Sequence, residues 1–430
     1  MKKRNIAVLA MAVVTMGGLL TGCSGSGAES ESRADASGRT ELEFFVQKRE
    51  AADTFSKIVE EFNNSQSEIV VKQNIVPDPT TVLMSRAATG DLPDIMQVGG
   101  MQDSNTMQFM KEGHFLDLTG EAYLDNVIDN YKESIKYKGK NYVVPISANF
   151  SGVFYNKDKF EAAGYTVPKT YDELLAMAED IKSKGEVPFL FPDKDSWTLI
   201  QCWEDNIDGS IRGSRKSLYD GIAAGTATFQ DDKTAQESIA KVAEIRQYGQ
   251  GDTLALGYDQ AISDFATGKS YMFMQGIWAL PSIKKANPDM KIGMFSFPAG
   301  EGVDTKVSMG IDVNIAIAAT CKNPDAAKKF LEFLSSKEMV QLYVNNDYSL
   351  PCVKEVTPNI PEAEEIVALV DGGKGVLQTL ALPKAVSDLR SNTIQGIVLT
   401  SDATPADEFL KSLTDSFVEN KQEYIDMYGE

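Results

Sequence analysis

The sequence is poor in the residue types on which many catalytic sites depend. It has one histidine, His114, so a Ser-His-Asp triad would have to rest on this single residue. His114 follows Lys111-Glu112-Gly113, a pattern typical of a helix end, and we expect it to be structural. Neither a phosphate-binding loop nor the glycine pattern of a dinucleotide-binding fold occurs. The chain therefore offers no local motif for histidine-based acyl transfer or nucleotide chemistry.

Cysteine is also scarce. Of the four cysteines, Cys23 falls in the N-terminal signal described below, which leaves Cys202, Cys321 and Cys352. An odd number without short metal-ligand spacings argues against a disulfide framework. A bond between Cys321 and Cys352 is the alternative, but we expect buried free thiols.

One stretch matches part of a calcium-binding loop. Asp193, Asp195 and Glu204 occupy positions 1, 3 and 12 of an EF-hand, but position 5 is Trp197 and position 6, which requires glycine, is Thr198. We therefore expect no metal site and no cofactor.

Positive charge is in short supply. The chain has 42 Lys and Arg against 62 Asp and Glu, a formal net charge of -20. Loss of the N-terminal signal removes three positive charges and no negative ones, which takes the mature chain to -23. Such a surface repels phosphate backbones, so we do not expect a nucleic-acid partner.

The N-terminus has the pattern of an export signal. Residues 2–4 are basic, residues 5–20 carry no charge, and Leu20-Thr21-Gly22 places small residues before Cys23. The apolar run is shorter than the roughly 20 residues that a spanning helix needs. It resembles a bacterial lipoprotein signal (1–22), in which the Cys23 thiol receives lipid and becomes the new N-terminus. The alternative is an uncleaved anchor helix, and either arrangement leaves the rest of the chain facing outward.

Residues 23–39 predict a flexible tether, because Ser, Gly and Glu dominate and almost nothing apolar is present. The remaining residues, 40–430, are long enough for two domains.

Strand and helix patterns alternate along this folded part. Residues 41–46 and 69–76 predict strands, and Phe55, Ile58, Val59 and Phe62 recur between them at helical spacing, which favours a parallel sheet with right-handed crossovers. Pro145 and Pro298 are candidate points where the chain passes between lobes. Further helices are predicted at 79–90, 101–111, 171–184, 233–247 and 324–334, and further strands at 94–98, 142–144, 153–155, 188–191, 271–274, 291–294 and 313–319.

Four stretches between residues 90 and 334 carry a family resemblance. They are Gly90-Asp91-Leu92-Pro93-Asp94-Ile95, the segments 142–145, 154–164 and 168–175, the segment 265–272 followed by Gly276 and Trp278, and 308–312 with 323–334. In this order, behind a lipoprotein signal, they resemble the extracellular solute-binding proteins that deliver sugars to ABC importers. That family includes maltose-binding and multiple-sugar-binding lipoproteins.

The resemblance implies an α/β, two-lobed periplasmic-binding-protein-like fold with a hinge and a ligand cleft between the lobes. Family topology suggests lobe one at 40–147 and 298–340, and lobe two at 148–297 and 341–430. It further implies a monomer that binds a sugar or oligosaccharide and presents it to the membrane subunits of an ABC permease. The protein would not be an enzyme, and lipid on Cys23 would hold it to the cell membrane, outside the cell.

A sugar site needs planar polar groups for hydroxyls and flat aromatic rings for C–H faces. In sheets of this kind, ligands lie beyond the carboxyl ends of the strands. The family position matching Trp278 commonly carries a stacking tryptophan, whereas Trp203 is expected on a buried helix face. The candidate ligand-binding residues are Gln47, Arg49, Gly99, Gly100, Asn149, Asp195, Trp197, Gln275, Trp278, Met309 and Asp312.

Two other functions stay open at this stage. One is a surface glycoside hydrolase, because 62 carboxylates always include some pair at a workable separation. The other is a receptor for a polyamine or another cationic solute, which the acidity permits. Few carboxylates and several aromatics in the cleft would favour a sugar, whereas four or more acids would favour a cation.

Overall fold

The computed structural model describes Asp35 and residues 38–300, 302–399 and 404–429. The predicted signal (1–22), Cys23 and most of the tether lie outside these residues. The strands are β1 (Thr40–Val46), β2 (Ile69–Ile75), β3 (Ile95–Val98), β4 (Lys136–Tyr137), β5 (Lys140–Asn141), β6 (Val143–Asn156), β7 (Phe189–Leu190), β8 (Met272–Gly276), β9 (Ile292–Phe295), β10 (Val307–Ile317), β11 (Leu350–Pro351) and β12 (Gly375–Leu377).

Helices outnumber strands in the described part of the chain. The α-helices are α1 (Ala52–Ser65), α2 (Pro79–Thr89), α3 (Ser104–Lys111), α4 (Asp129–Ser134), α5 (Lys157–Ala163), α6 (Tyr171–Ser183), α7 (Ser196–Gln201), α8 (Gly209–Arg212), α9 (Lys216–Ala224), α10 (Lys233–Ile245), α11 (Tyr258–Ala266), α12 (Leu280–Ala286), α13 (Pro324–Leu334), α14 (Lys337–Asp347), α15 (Glu364–Leu369), α16 (Lys384–Thr393) and α17 (Thr404–Tyr428). A π-helical segment, Cys202–Asp208, joins α7 to α8.

The main sheet is mixed. Its strand order is β2-β1-β3-β10-β6-β8-β7, with β9 and β11 paired to β6 and β12 paired to β10. Strand β1 is parallel to β2 and β3, as the strand-helix-strand pattern predicts. The sheet is not parallel throughout, because β10 runs antiparallel to both β3 and β6, although the pairs β7–β8 and β10–β12 are parallel.

Strand β6 is continuous where the sequence predicted two short strands separated by Pro145. Its first half pairs with β10, up to Phe150, and its second half pairs with β8 and β9, from Ser151 to Asn156. The predicted strands at 142–144 and 153–155 leave residues 145–152 unassigned, and Pro145 is predicted only as a point where the chain passes between lobes. Pairing with strands distant in sequence keeps this segment extended.

Apolar spacing and local caps account for the first two helices. Phe55, Ile58 and Phe62 are buried on one face of α1, as their spacing predicts. Helix α2 begins with Asp78 accepting a hydrogen bond from the Thr81 amide at 3.3 Å, and it ends at Gly90 with φ of 72°.

The buried side chains form two hydrophobic cores. In the first, Phe44 packs against Phe55 and Phe330, with ring centroids 5.3 and 5.4 Å apart. In the second, Trp203 packs against Phe409, with centroids 5.5 Å apart, and its Nε1 donates to Ser238 Oγ. The expectation that Trp203 lies on a buried helical face is confirmed.

Helix α14 belongs by its packing to the first core. Tyr343 of α14 is fully buried and contacts Phe55, with ring centroids 5.0 Å apart. The predicted lobe boundaries stay a prediction, and this contact favours placing all of α14 with lobe one.

Three observations concern the predicted thiols, metals and membrane segments. Cys202, Cys321 and Cys352 are free, with Cys202 and Cys352 buried. Within the described ranges, His, Cys, Asp and Glu side chains form no group of three or more able to hold a metal ion. Across the same residues, no helix is both long and apolar enough to cross a bilayer.

Candidate functional site

Two adjoining cavities, of about 350 and 370 Å³, open between elements of the two cores, and we call them together the cleft. The first cavity lies towards the loops after β1 and β3, and the second towards α7 and the π-helical segment. Both fall within the size range of small-ligand pockets. The residues that line both cavities are Gly99, Asp103, Asn149, Trp278 and Asp312.

Amide side chains shape the wall of the first cavity. Gln97, on β3, accepts hydrogen bonds through Oε1 from the backbone amides of Gln47 and Lys48, both at 2.8 Å. Gln47 in turn donates through Nε2 to the Gln97 carbonyl at 2.8 Å. This reciprocal pairing fixes the loop after β1 against the end of β3, so the polar groups are held in place before any ligand arrives.

Aromatic rings cover the junction between the cavities. The indoles of Trp197 and Trp278 lie with ring centroids 6.5 Å apart, and Tyr258 packs edge-on against Trp197 at 4.8 Å. Trp197 is 42% exposed, which is unusual for an indole. A Cβ placed on Gly276 would lie 1.9 Å from Cζ3 of Trp278, so only glycine allows the indole to lie this close to the backbone.

A buried ionic cluster lies at the floor of the first cavity. Lys48 Nζ contacts the Asp312 carboxylate and donates to Asp347 Oδ2 at 2.9 Å, and the lysine and Asp347 side chains are almost fully buried. Asp312 is the extra residue at a β-bulge in β10, between Ile311 and Val313, and has no partner in β6. A bulge re-aims a side chain, and here the carboxylate borders both cavities.

Charged residues line the second cavity. Arg390 of α16 donates to both carboxylate oxygens of Glu204, at 2.5 and 2.6 Å. Burial raises the pKa of the neighbouring Asp205 to about 6, and Asp205 accepts one hydrogen bond, from Ser308 Oγ at 3.3 Å. Arg215 is turned towards Asp208, with Nε 3.1 Å from Oδ2.

Seven of the eleven candidate residues line the cleft. They are Gln47, Gly99, Gly100, Asn149, Trp197, Trp278 and Asp312. Their contact with a ligand stays a prediction, but the structure brings them together from segments up to 265 positions apart, as the strand-end argument expects.

The other four candidates do not line the cleft. Arg49 is exposed and lies 3.7 Å from Asp259. Asp195 accepts a hydrogen bond from the Tyr258 amide at 2.8 Å. Gln275 is fully buried and accepts from the Gly276 amide, and the Met309 backbone carbonyl accepts from Gln378. None of these four residues is among those that line the two cavities, although each follows or lies within a strand.

Sequence reasoning missed most of the charged lining. Lys48 follows the first strand but is not among the predicted candidates, and Glu204, Asp205 and Arg390 lie on helical segments, to which a rule about strand ends does not apply. The carboxylates of the partial EF-hand match at residues 193–204 do not converge on one point. Asp193 forms a buried ion pair with Arg246 at 2.8 Å, whereas Glu204 is paired with Arg390. His114 is not among the residues lining the cleft, and its Nε2 lies 3.0 Å from Glu112.

Among the described residues, five acids line the cleft, Glu50, Asp103, Glu204, Asp205 and Asp312, which exceeds the four that would favour a cation if they formed an unpaired ring. Three basic residues, Lys48, Arg215 and Arg390, line it as well. Each acid already has a donor: Lys48 for Asp312, Arg390 for Glu204, the Thr106 amide for Asp103, Tyr258 for Glu50 and Ser308 for Asp205. The acids are therefore not a free ring that awaits a cation.

Comparison with known proteins agrees with this arrangement. The chain is 34% identical over 344 residues to the multiple sugar-binding protein of Streptococcus mutans, covering 79% of this chain and 80% of that protein. The structure superposes on the solute-binding protein RafE in complex with raffinose with a TM-score of 0.72 and 27% identity, covering 89% of this chain and 99% of that one. The apo form of RafE from Streptococcus pneumoniae gives 0.70 at the same identity, with 89% and 98% covered.

The sequence also matches the model of a protein family. Residues 48–341 match the bacterial extracellular solute-binding proteins, and this segment includes most of the cleft. By this match and by its likeness to the Streptococcus mutans protein, the chain belongs to the bacterial extracellular solute-binding protein family.

Proposed function

We propose that this protein captures a sugar or oligosaccharide in the cleft and delivers it, chemically unchanged, to the membrane subunits of an ABC importer. The observation that carries the proposal is the junction at which the indoles of Trp197 and Trp278 adjoin Asn149 and Asp312. Rings offer flat apolar faces for sugar C–H groups, and the amide and carboxylate bind hydroxyls. The family relation, the multiple sugar-binding protein of Streptococcus mutans and the raffinose complex of RafE support the same ligand class.

The pairing of the cleft carboxylates agrees with binding that leaves the ligand chemically unchanged. Members of this family are solute-binding proteins rather than enzymes. In the second cavity both oxygens of Glu204 are held by Arg390, and Asp312 is held by Lys48, so these carboxylates are tied to cations rather than free to exchange protons with a substrate. The hydrolase alternative and the polyamine alternative gain no support from the relatives.

Lobe closure would couple binding to delivery. We place the two lobes at 40–147 with 298–340 and at 148–297 with 341–430, with α14 favouring lobe one throughout. The second hydrophobic core draws all its buried residues from lobe two, which supports this division, whereas the first core combines residues of lobe one with lobe-two residues such as Phe265 and Leu280. A sugar shifts the lobes towards the closed form only by the difference between its affinities for the two forms. Groups from both sides of the cleft must therefore contact it.

The N-terminus would keep the protein at the outer face of the membrane. We propose that residues 1–22 are cleaved, that Cys23 carries lipid, and that residues 23–39 form a tether that lets a monomer reach its permease. The extracellular location of the family agrees with an exported chain.

Thermal-shift and calorimetric titration against a defined panel tests the proposal. The panel contains raffinose, stachyose, maltotriose, glucose and spermidine, each at about a hundredfold excess over its dissociation constant where one is measurable. A specific sugar at that ratio should stabilise the fold by about 2.7 kcal/mol. Spermidine as the sole stabilising compound would replace the sugar by a cation, and release of monosaccharide during overnight incubation would make the protein a hydrolase.

A further inference from the structure

Three distant parts of the chain meet in the ionic cluster of Lys48, Asp312 and Asp347. Lys48 follows β1, Asp312 is the bulge residue of β10, and Asp347 is the last residue of α14. The Lys48 side chain is 8% exposed, Asp312 15% and Asp347 1%. Only Lys48 and Asp312 border the cleft, and Asp347 lies behind them.

The cluster is unbalanced in charge. One ammonium group serves two carboxylates, and Asp347 also lies at the carboxyl end of a helix, where negative charge is disfavoured. The Lys48 ammonium therefore cannot fully neutralise both carboxylates. A stronger interaction with ionised Asp347 means a weaker interaction with Asp312. Asp312 keeps part of its negative charge and faces the cavity as a strong hydrogen-bond acceptor.

We propose that Lys48 and Asp347 are positioning residues for Asp312, and that the cluster makes sugar binding release a proton. This inference rests on the proposed function. Lys48 fixes the direction of the Asp312 carboxylate, and ionised Asp347 keeps that carboxylate a strong acceptor. Asp347 acts on the ligand only through Lys48 and Asp312.

The released proton comes from Asp347. Burial raises the pKa of Asp347 to about 6, against the pull of Lys48 in the opposite direction. When a sugar hydroxyl donates a hydrogen bond to Asp312, it stabilises the negative charge of that carboxylate. Lys48 can then interact more strongly with the Asp347 carboxylate. Asp347 then ionises more readily. By linkage, protonation of Asp347 must weaken sugar binding by the same factor.

Other titratable groups face the cluster, and none of those described replaces Asp347 in this role. Burial raises the pKa of Tyr343, Tyr258 and Cys352 well above neutrality, so they stay protonated between pH 5 and 8. Glu50 is bonded to Tyr258, and Lys284 lies over the Tyr348 ring, next to Asp347, and contacts Glu362.

The test is calorimetry of the full mature chain with raffinose, or with the panel sugar that gives the larger thermal shift, at pH 5.0 to 7.5. The wild type should bind the sugar about fivefold more weakly at pH 5.0 than at pH 7.5. A factor of about five is at the lower end of the range usual for coupling between two sites. Heats measured near pH 6 in two buffers of different ionisation enthalpy should show proton release. In Asp347→Asn both effects should disappear, and the affinity should stay near the wild-type value at pH 5.0.

Asp205→Asn is the matched comparison, because Asp205 also has a pKa near 6 and lies outside the cluster. Since Asp205 itself lines the cleft, the variants are compared by the number of protons released per sugar bound and not by affinity. Proton release should persist in Asp205→Asn. If it is lost there, or if it persists in Asp347→Asn, the inference is overturned while sugar binding stands. If the wild type binds no sugar in the panel, the proposed function fails and the inference with it.

A second pair of variants keeps the inference testable if Asp347→Asn does not fold. Lys48→Arg retains the charge and should bind within about threefold of wild type with proton release intact. Lys48→Met should lose at least about tenfold in affinity and all proton release, because one hydrogen bond to a charged group is lost from the acceptor. Equal losses in both variants would contradict a role that depends on the positive charge.

Discussion

Replacing Trp278 with alanine tests the cleft most directly, because this indole lies at the junction of both cavities. The six-membered ring of the indole packs against the backbone at Gly276, and the side chain lies half-buried against the first core. The substitution removes this platform and one peripheral contact of the first core, but no residue from the interior of either core.

The expected loss follows from the area of one indole face. A whole aromatic side chain buries about 150–250 Å², so one face contributes roughly 100 Å². At about 25 cal/mol per Å² this amounts to about 2.5 kcal/mol. Each 1.4 kcal/mol is tenfold, so sugar affinity should fall about 60-fold. The melting temperature without sugar should change little.

Titration calorimetry with raffinose, or with the panel sugar that binds, measures the loss, and circular dichroism follows the fold. Trp203→Phe is the matched control, because Trp203 lies in the second core and borders neither cavity. The control should bind as wild type does and should keep the change in tryptophan fluorescence caused by sugar. An affinity of Trp278→Ala within twofold of wild type, with the fold intact, would remove the indole from the binding site and refute the area argument.

Three further outcomes follow from the structure. Gly276→Ala should weaken sugar binding in the same direction as Trp278→Ala, because the added Cβ would lie 1.9 Å from the indole; calorimetry showing wild-type affinity would contradict this close approach. Asp205→Asn should stabilise the fold at pH 7.5 but not at pH 4. The pKa of Asp205 is raised from 3.8 to about 6, so the wild type loses stability as pH rises from about 4 through 6. At about 1.36 kcal/mol per pKa unit the gain is at most about 3 kcal/mol. Urea denaturation at both pH values measures this, and equal gains would count against burial as the cause. Cys23→Ser should appear in the medium or as an unprocessed precursor, and continued incorporation of labelled lipid would rule out Cys23 as the anchor.

Local patterns were enough to predict most of the helices and the first strands. Phe55, Ile58 and Phe62 repeat at the helical period, and Asp78, Pro79 and Gly90 carry their own start and stop signals. These features depend on residues within a few positions of one another, so a single sequence contains all the information that they need.

Long-range pairing was beyond this kind of prediction. The gap predicted between the strands at 142–144 and 153–155 does not occur, because β10 and β11 pair with β6 from positions more than 150 residues away. The Lys48 cluster joins residues 48 and 347, and Arg390 meets Glu204 across 186 positions. Strand-end reasoning found the aromatic and amide half of the cleft, but only the fold brings the charged half together.

The continuity of β6 has a consequence for the molecule as a whole. One end of this strand completes the sheet next to the first core, and the other end completes the sheet next to the second. A cut anywhere within it would leave both fragments with unpaired backbone amides and carbonyls, which are costly to bury. Neither half is therefore a self-sufficient folding unit, and loops outside Val143–Asn156 are the places to split or permute this chain.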